Sequence, residues 1–178
     1  MFGFRQFSEE ELAILKTRAE RVARATKDDS GDEVFGALMI TLRGENYAIP
    51  IETLTGVYES ISVVPVPCTP PYVSGIANIR GHIVPVLDLA HLLNVSGEAE
   101  QDANMLVVAS ENDVTMAFRA EMVGDVMNIF SAEVNLPPSN GSGQQMNYIQ
   151  GILSDGAALL NIRAILTDPA LSVSELAG

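Results

Sequence analysis

The sequence has a single cysteine, Cys68, and no tryptophan. One thiol excludes an internal disulfide and any thiolate cluster for zinc or iron–sulfur. The two histidines, His82 and His91, lie on either side of an expected strand-to-helix junction, a placement that makes no shared metal site. Neither metal nor other cofactor is expected. Lysine ends at Lys27, and six of the ten bases fall within residues 1–27. Beyond that point only Arg43, Arg80, Arg119 and Arg163 oppose nineteen acids, and the net charge of −13 repels nucleic acid and anionic lipid. Partners are therefore expected among proteins. No apolar run approaches the ~20 residues of a membrane helix. Residues Met1 to Ser8 lack the apolar centre of a secretory leader, and a cytoplasmic location is expected.

What is present is apolar and periodic. Of the 178 residues, 47% are hydrophobic, enough for a shared core in one compact domain or two very small ones. Ser8 and Glu11 have the spacing of a capping box, and Phe7 and Leu12 that of a hydrophobic staple. Leu12, Leu15, Ala19 and Val22 continue along one face, so a helix is expected from about Glu9 to Lys27. Packing of that helix on the domain is favoured over a partner-binding role. The polar break at residues 28–32 then ends period 3.6 and begins period 2.

Alternation predicts strands at Phe35–Leu42, Tyr47–Ile51, Gly56–Tyr58, Ser62–Val66, Ile76–Arg80 and His82–Leu87. Asp88 is placed to cap a short helix over Leu89–Leu93. Residues 94–103 read as a linker. Further strands are expected at Met105–Ser110, Val114–Arg119, Val123–Ile129, Tyr148–Leu153 and Ala158–Ile162, with Pro137–Asn147 a mobile loop. A weak repeat pairs Tyr72-Val73-Ser74-Gly75-Ile76 with Tyr148-Ile149-Gln150-Gly151-Ile152. Ala48, Ile49, Glu52 and Val57 likewise pair with Ala117, Phe118, Glu121 and Val126. The expected fold is all-β, two small packed barrels from a duplicated unit. Residues 1–33 form a helix and linker, 34–167 the domain with halves near 34–93 and 104–167, and 168–178 a tail.

From Tyr47 to Leu93 the residues follow a more specific pattern. Gly75-Ile76, Asn78-Ile79-Arg80-Gly81 and Val84-Pro85-Val86-Leu87-Asp88-Leu89 succeed one another at a spacing that resembles the CheW family. Residues 148–151, 155–156 and 160–166 agree more faintly, and the resemblance covers about residues 34–167. It implies two five-stranded Src-homology-3-like barrels, with a short helix after the last strand of each half. It also implies a non-enzymatic adaptor in a chemotaxis, twitching or phototaxis array. The implied partners are the regulatory domain of a CheA-type histidine kinase and the cytoplasmic tip of a methyl-accepting chemoreceptor, with recruitment to membrane-associated receptor arrays. The chain departs from the family at Thr55-Gly56-Val57, where many relatives carry an acid before the apolar residue.

Through this resemblance the receptor-coupling candidates are Leu54, Gly56, Val57, Asn78 and Arg80, and the structural motif residues are Gly75, Gly81, Pro85, Asp88 and Gly151. Arg80 has two readings that do not exclude each other, a structural tie through its five donors and a partner contact. Leu54 and Val57 have the spacing of core residues and become anchors only if exposed. Asp88 is explained by helix capping and Cys68 by its rigid Pro-rich segment. Two other functions compete with this reading. A hydrolase with paired carboxylates lacks a repeated acid in a glycine-rich motif, Gly-x-Ser-x-Gly and a phosphate-cradling loop. A small-ligand-binding barrel meets the difficulty that barrels of this size fill their interiors with their own side chains.

Overall fold

The computed structural model describes residues 13, 14, 16, 17, 33–98, 105–137 and 144–171. Strands β1 (Val34–Leu42), β2 (Glu45–Pro50), β3 (Leu54–Glu59), β4 (Val63–Val64), β5 (Val73–Ile79) and β6 (His82–Asp88) lead into helix α1 (Leu89–Leu92). Strands β7 (Met105–Glu111), β8 (Val114–Ala120), β9 (Met122–Phe130), β10 (Ile149–Ile152) and β11 (Ala158–Leu160) lead into α2 (Ile162–Thr167). Three hairpins turn on two residues of positive φ: Arg43-Gly44, Arg80-Gly81 and Asn112-Asp113. Two left-handed residues in succession match the right-handed twist of the strands they join.

One sheet has the order β10-β11-β2-β1-β9 and the other β3-β7-β8-β6-β5-β4. Beyond β9, Asn135 exchanges two backbone hydrogen bonds of 2.8 Å with Ile152 of β10, which closes the first sheet into a barrel. In the second, the chain bends after β3 into β4, which pairs with β5 at the far side of the sheet. Each barrel draws strands from both sides of the 94–103 segment. The sequence halves 34–93 and 104–167 are therefore not separate barrels: each lends its first hairpin to the other's strands. The repeat nevertheless maps strand onto strand, β2 onto β8, β3 onto β9 and β5 onto β10. Asp88 Oδ1 accepts from His91 N at 3.0 Å, and Asn161 Oδ1 accepts from Ala164 N at 3.0 Å, so the two helices are capped alike.

Strand parity divides the core into three layers. Ala37, Ala48, Ala157, Leu159 and Ile129 fill the first barrel. Ala77, Val84, Val86, Leu106 and Ala117 fill the second. The opposite faces of the same strands meet between the barrels: Leu38, Ile40 and Leu42 of β1, Ile49 of β2, Val107 of β7, Phe118 of β8 and Leu87 of β6. Most of the large side chains thus go to the interface between barrels, and alanine is denser in the narrow interiors.

Closure of each barrel depends on a glycine. At Gly75, with φ +142°, a Cβ would lie 2.2 Å from the Val64 carbonyl oxygen. At Gly151 it would lie 2.3 Å from Val134 Cγ1 and 2.8 Å from the Asn135 oxygen. Both glycines sit at register shifts, in β5 and β10, where the crossing strand approaches the backbone.

Several expected boundaries move. Residues 13, 14, 16 and 17 are helical, and the capping box, the staple and the rest of the expected N-terminal helix lie outside the described residues. Lys16 Nζ donates to the carbonyl oxygens of Glu52, at 3.4 Å, and Leu54, in keeping with a segment packed on the domain. The linker begins later than expected, because Val95 is buried in the inter-barrel layer. The tail also begins later, because Pro169–Leu171 forms a 3-10 turn that buries Leu171. Gln144–Tyr148 is a 3-10 turn where loop was expected, and residues 138–143 lie outside the described set.

Three outcomes test this core. Phe118→Ala should cost about 3–5 kcal/mol in urea unfolding, since the ring is fully buried between the barrels. Gly75→Ala should cost at least ~2 kcal/mol, because the obstructing atom is backbone and cannot rotate away. Tyr47, buried between the barrels, donates to Glu45 Oε2 at 3.0 Å. Desolvation, and then Glu45, push its phenol well above the ordinary tyrosine range. A raised folded-state pKa supports the fold fully below about pH 10 and loses that support as pH rises further. Tyr47→Phe should therefore flatten the alkaline fall of the urea midpoint.

Candidate functional site

The parity that points Val84 and Val86 into the second barrel points Ile83 and Pro85 outward on β6. Their cross-strand partners are Asn78 and Ile76 of β5, and Val64 of β4 pairs with Ile76 in turn. Ile83 and Val64 are 64% and 58% exposed, so β4, β5 and β6 present an uncovered apolar face to solvent. The Arg80-Gly81 turn lies at the end of this face. Asn78 Oδ1 accepts from Gly81 N at 2.8 Å and holds the turn closed. Arg80 itself takes φ +53°, a conformation costly for a residue with a Cβ. Its guanidinium carbon lies 5.8 Å from the centroid of the Tyr58 ring, within range of a cation–π contact.

Of the five coupling candidates, the structure brings Asn78 and Arg80 together on the exposed hairpin. Leu54 is fully buried and Val57 is 4% exposed, both in the inter-barrel layer. As core residues they offer no surface to a partner, and the anchor reading of them is corrected. Gly56 is buried on β3 beneath the Tyr58 ring. Among the motif residues, Gly81 completes the turn, Gly75 and Gly151 allow closure, and Asp88 caps α1. Pro85 lies in β6 just before the ladder with β8 begins at Val86, where its missing N–H leaves that ladder intact.

Ile83, Val64 and Tyr58 are the residues that sequence reading missed. Ile83 was legible from parity once Val84 and Val86 are taken as inward. Tyr58 left only a faint signal, since Gly56 and Tyr58, two apart, share a face of β3 and the glycine leaves room for the ring.

Two polar clusters tie the barrels together. Arg43 Nη1 donates to the Val95 carbonyl at 2.6 Å, and Arg43 Nη2 lies 3.4 Å from His91 Nδ1. His91 Nδ1 is also 2.7 Å from Asp88 Oδ2. On the other side Arg163 reaches Glu52 and Glu111, each at 3.5 Å. These exposed ion pairs contribute about 0–1 kcal/mol each. No group of three or more metal-ligating side chains occurs among the described residues. A cavity of about 460 Å³ lies where β1 begins and β2 ends, bordered by Lys16, Glu33, Phe35, Glu52 and Gln150. No described helix is long and apolar enough to cross a membrane.

Removing the Asn78 acceptor by Asn78→Ala should cost about 0.5–1.5 kcal/mol in chemical denaturation. Arg80→Gly should offset strain at the same turn and leave the midpoint unchanged or slightly higher.

Residues 36–170 match the family model described as "CheW-like domain". The chain is similar to "Chemotaxis protein CheW" of Helicobacter pylori, 24% identical over 158 residues that cover 88% of this chain and 96% of that one. It is similar to the protein of the same description from Treponema pallidum, 28% identical over 133 residues, covering 72% and 78% respectively. Among solved structures, the scaffolding protein TtCheW from Thermoanaerobacter tengcongensis shares the fold, with a TM-score of 0.67 at 20% identity. That match covers 78% of this chain and 95% of the other.

Proposed function

The chain belongs to the CheW-like domain family, and from that premise we propose that it is a scaffold adaptor that couples chemoreceptors to a CheA-type histidine kinase. One observation carries the reading beyond family membership. The barrel interiors are packed with the chain's own side chains, while β4, β5 and β6 hold out an apolar face flanked by a cationic turn. A surface of that kind serves protein partners. The kinase regulatory domain and the helical tip of a receptor are the two partners, and bridging them is the activity. The adaptor turns over no substrate. Its place is the cytoplasmic side of receptor arrays.

The Asn78–Gly81 turn is the proposed point of receptor coupling, with Arg80 as the residue that reaches the partner. Leu54 and Val57 act only by holding β3 against the other barrel.

Arg80→Ala should leave thermal unfolding nearly unchanged while weakening binding of a receptor cytoplasmic fragment, measured by titration calorimetry. A large fall in melting temperature with unchanged binding would make the arginine structural instead. Failure of the wild-type chain to bind any CheA-type regulatory domain would sink the adaptor reading itself.

A further inference from the structure

The Arg80 guanidinium stands over an aromatic ring on a different strand, and that ring occupies the space a side chain at position 56 would need. On β3 the pairing of Gly56 with Val108 and of Tyr58 with Leu106 puts both on the side of the second barrel's interior. The Tyr58 ring folds back along the strand over Gly56. A Cβ there would come within 2.6 Å of Tyr58 Cε2 and 2.8 Å of its hydroxyl oxygen. Those are side-chain atoms at the end of two rotatable bonds, so an added methyl group displaces the ring rather than the strand. Gly56 does not require a left-handed backbone; its use here is space.

Above the same ring stands Arg80, on the tip of the β5–β6 hairpin, its Cζ 5.8 Å from the centroid. The hairpin fixes the backbone of Arg80 through the Arg80-Gly81 turn and the Asn78 acceptor. The long side chain beyond Cβ retains its rotamers unless something holds it. A flat ring beneath the guanidinium contributes to that hold through its face.

We propose that Tyr58 is a positioning residue for Arg80, and that Gly56 is the vacancy that lets it act. The role rests on the coupling function proposed above for the Arg80 turn. It goes beyond that function by assigning residues on β3, outside the hairpin, to the orientation of the contact. It also gives Gly56 a role without any contact of its own.

The experiment uses the full chain and two readouts. In the free protein, the Arg80 Hδ and Nε–H resonances should lie upfield, within the ring current of Tyr58. Tyr58→Leu and Gly56→Ala should each return them toward the values of an unstacked arginine, and Tyr58→Phe should not. With a receptor cytoplasmic tip fragment as ligand, Tyr58→Leu and Gly56→Ala should weaken binding about 2- to 5-fold, as expected for loss of one exposed cation–π contact. Tyr58→Phe should bind like wild type. In an Arg80→Ala background, neither Tyr58→Leu nor Gly56→Ala should weaken binding further. Arg80 resonances unmoved by Tyr58→Leu would overturn the proposal, as would an undiminished effect of Tyr58→Leu in the Arg80→Ala background. If Arg80→Ala itself left binding unchanged, the coupling role would fall, and the resonances alone would then decide whether Tyr58 orients the arginine.

Discussion

The apolar layer between the two barrels is the interaction on which the rest of this structure depends. A barrel of short strands has an interior too narrow for many large side chains, and here the second interior is filled largely by Ala and Val and the first by Ala with a few Leu and Ile. Interiors this small leave either barrel marginal on its own, since little surface is buried against the conformational entropy of the strands. The outward faces of β1, β2, β6, β7 and β8 carry the Leu, Ile and Phe instead, and they bury them against each other. Each such side chain contributes on the order of 1.5–3 kcal/mol. The barrels are thus stable as a pair, and their mutual orientation is set by the same contacts that hold them folded. For a scaffold this matters, because surfaces on different barrels keep a fixed relation only if the joint between them is rigid.

Exchange of the first hairpins ties the two sequence halves together. The parallel pairings of β11 with β2 and of β6 with β8 run between one half's hairpin and the other half's last strand. Separating the two sequence halves would therefore mean breaking backbone ladders, while the apolar layer joins one barrel to the other. The glycines at the two closure points, Gly75 and Gly151, occupy equivalent places in the two halves and face equivalent obstacles. The two halves thus share local chemistry at these glycines although each hairpin pairs with strands of the other half.

Much of this was legible in the residues. The alternation in β1 and β2 places Leu38, Ile40, Leu42, Ile49 and Ile51 on buried faces, and the Asn78-to-Gly81 turn and the Asp88 cap are read from their types and spacing. Strand existence depends on local pattern, and local pattern was clear. The exchange of hairpins was not legible, because alternation says which face of a strand is buried and nothing about which distant strand lies beside it. The same limit explains the coupling candidates. Leu54 and Val57 stand beside a distinctive motif, but a register shift after Leu54 and the ladder to β7 carry both into the inter-barrel layer. Tyr58 and Arg80 are far apart in sequence, and only the return of the β5–β6 hairpin brings the cation over the ring.

As a scaffold, this chain would transmit a receptor's state to a kinase while performing no chemistry itself. The most direct measurement is the autophosphorylation rate of a CheA-type kinase reconstituted with receptor signalling fragments, with and without the purified chain. The kinase rate should respond to the receptor fragments only when the chain is present, and the chain alone should consume no ATP. A rate that follows the receptor equally well without the chain would contradict the scaffold role.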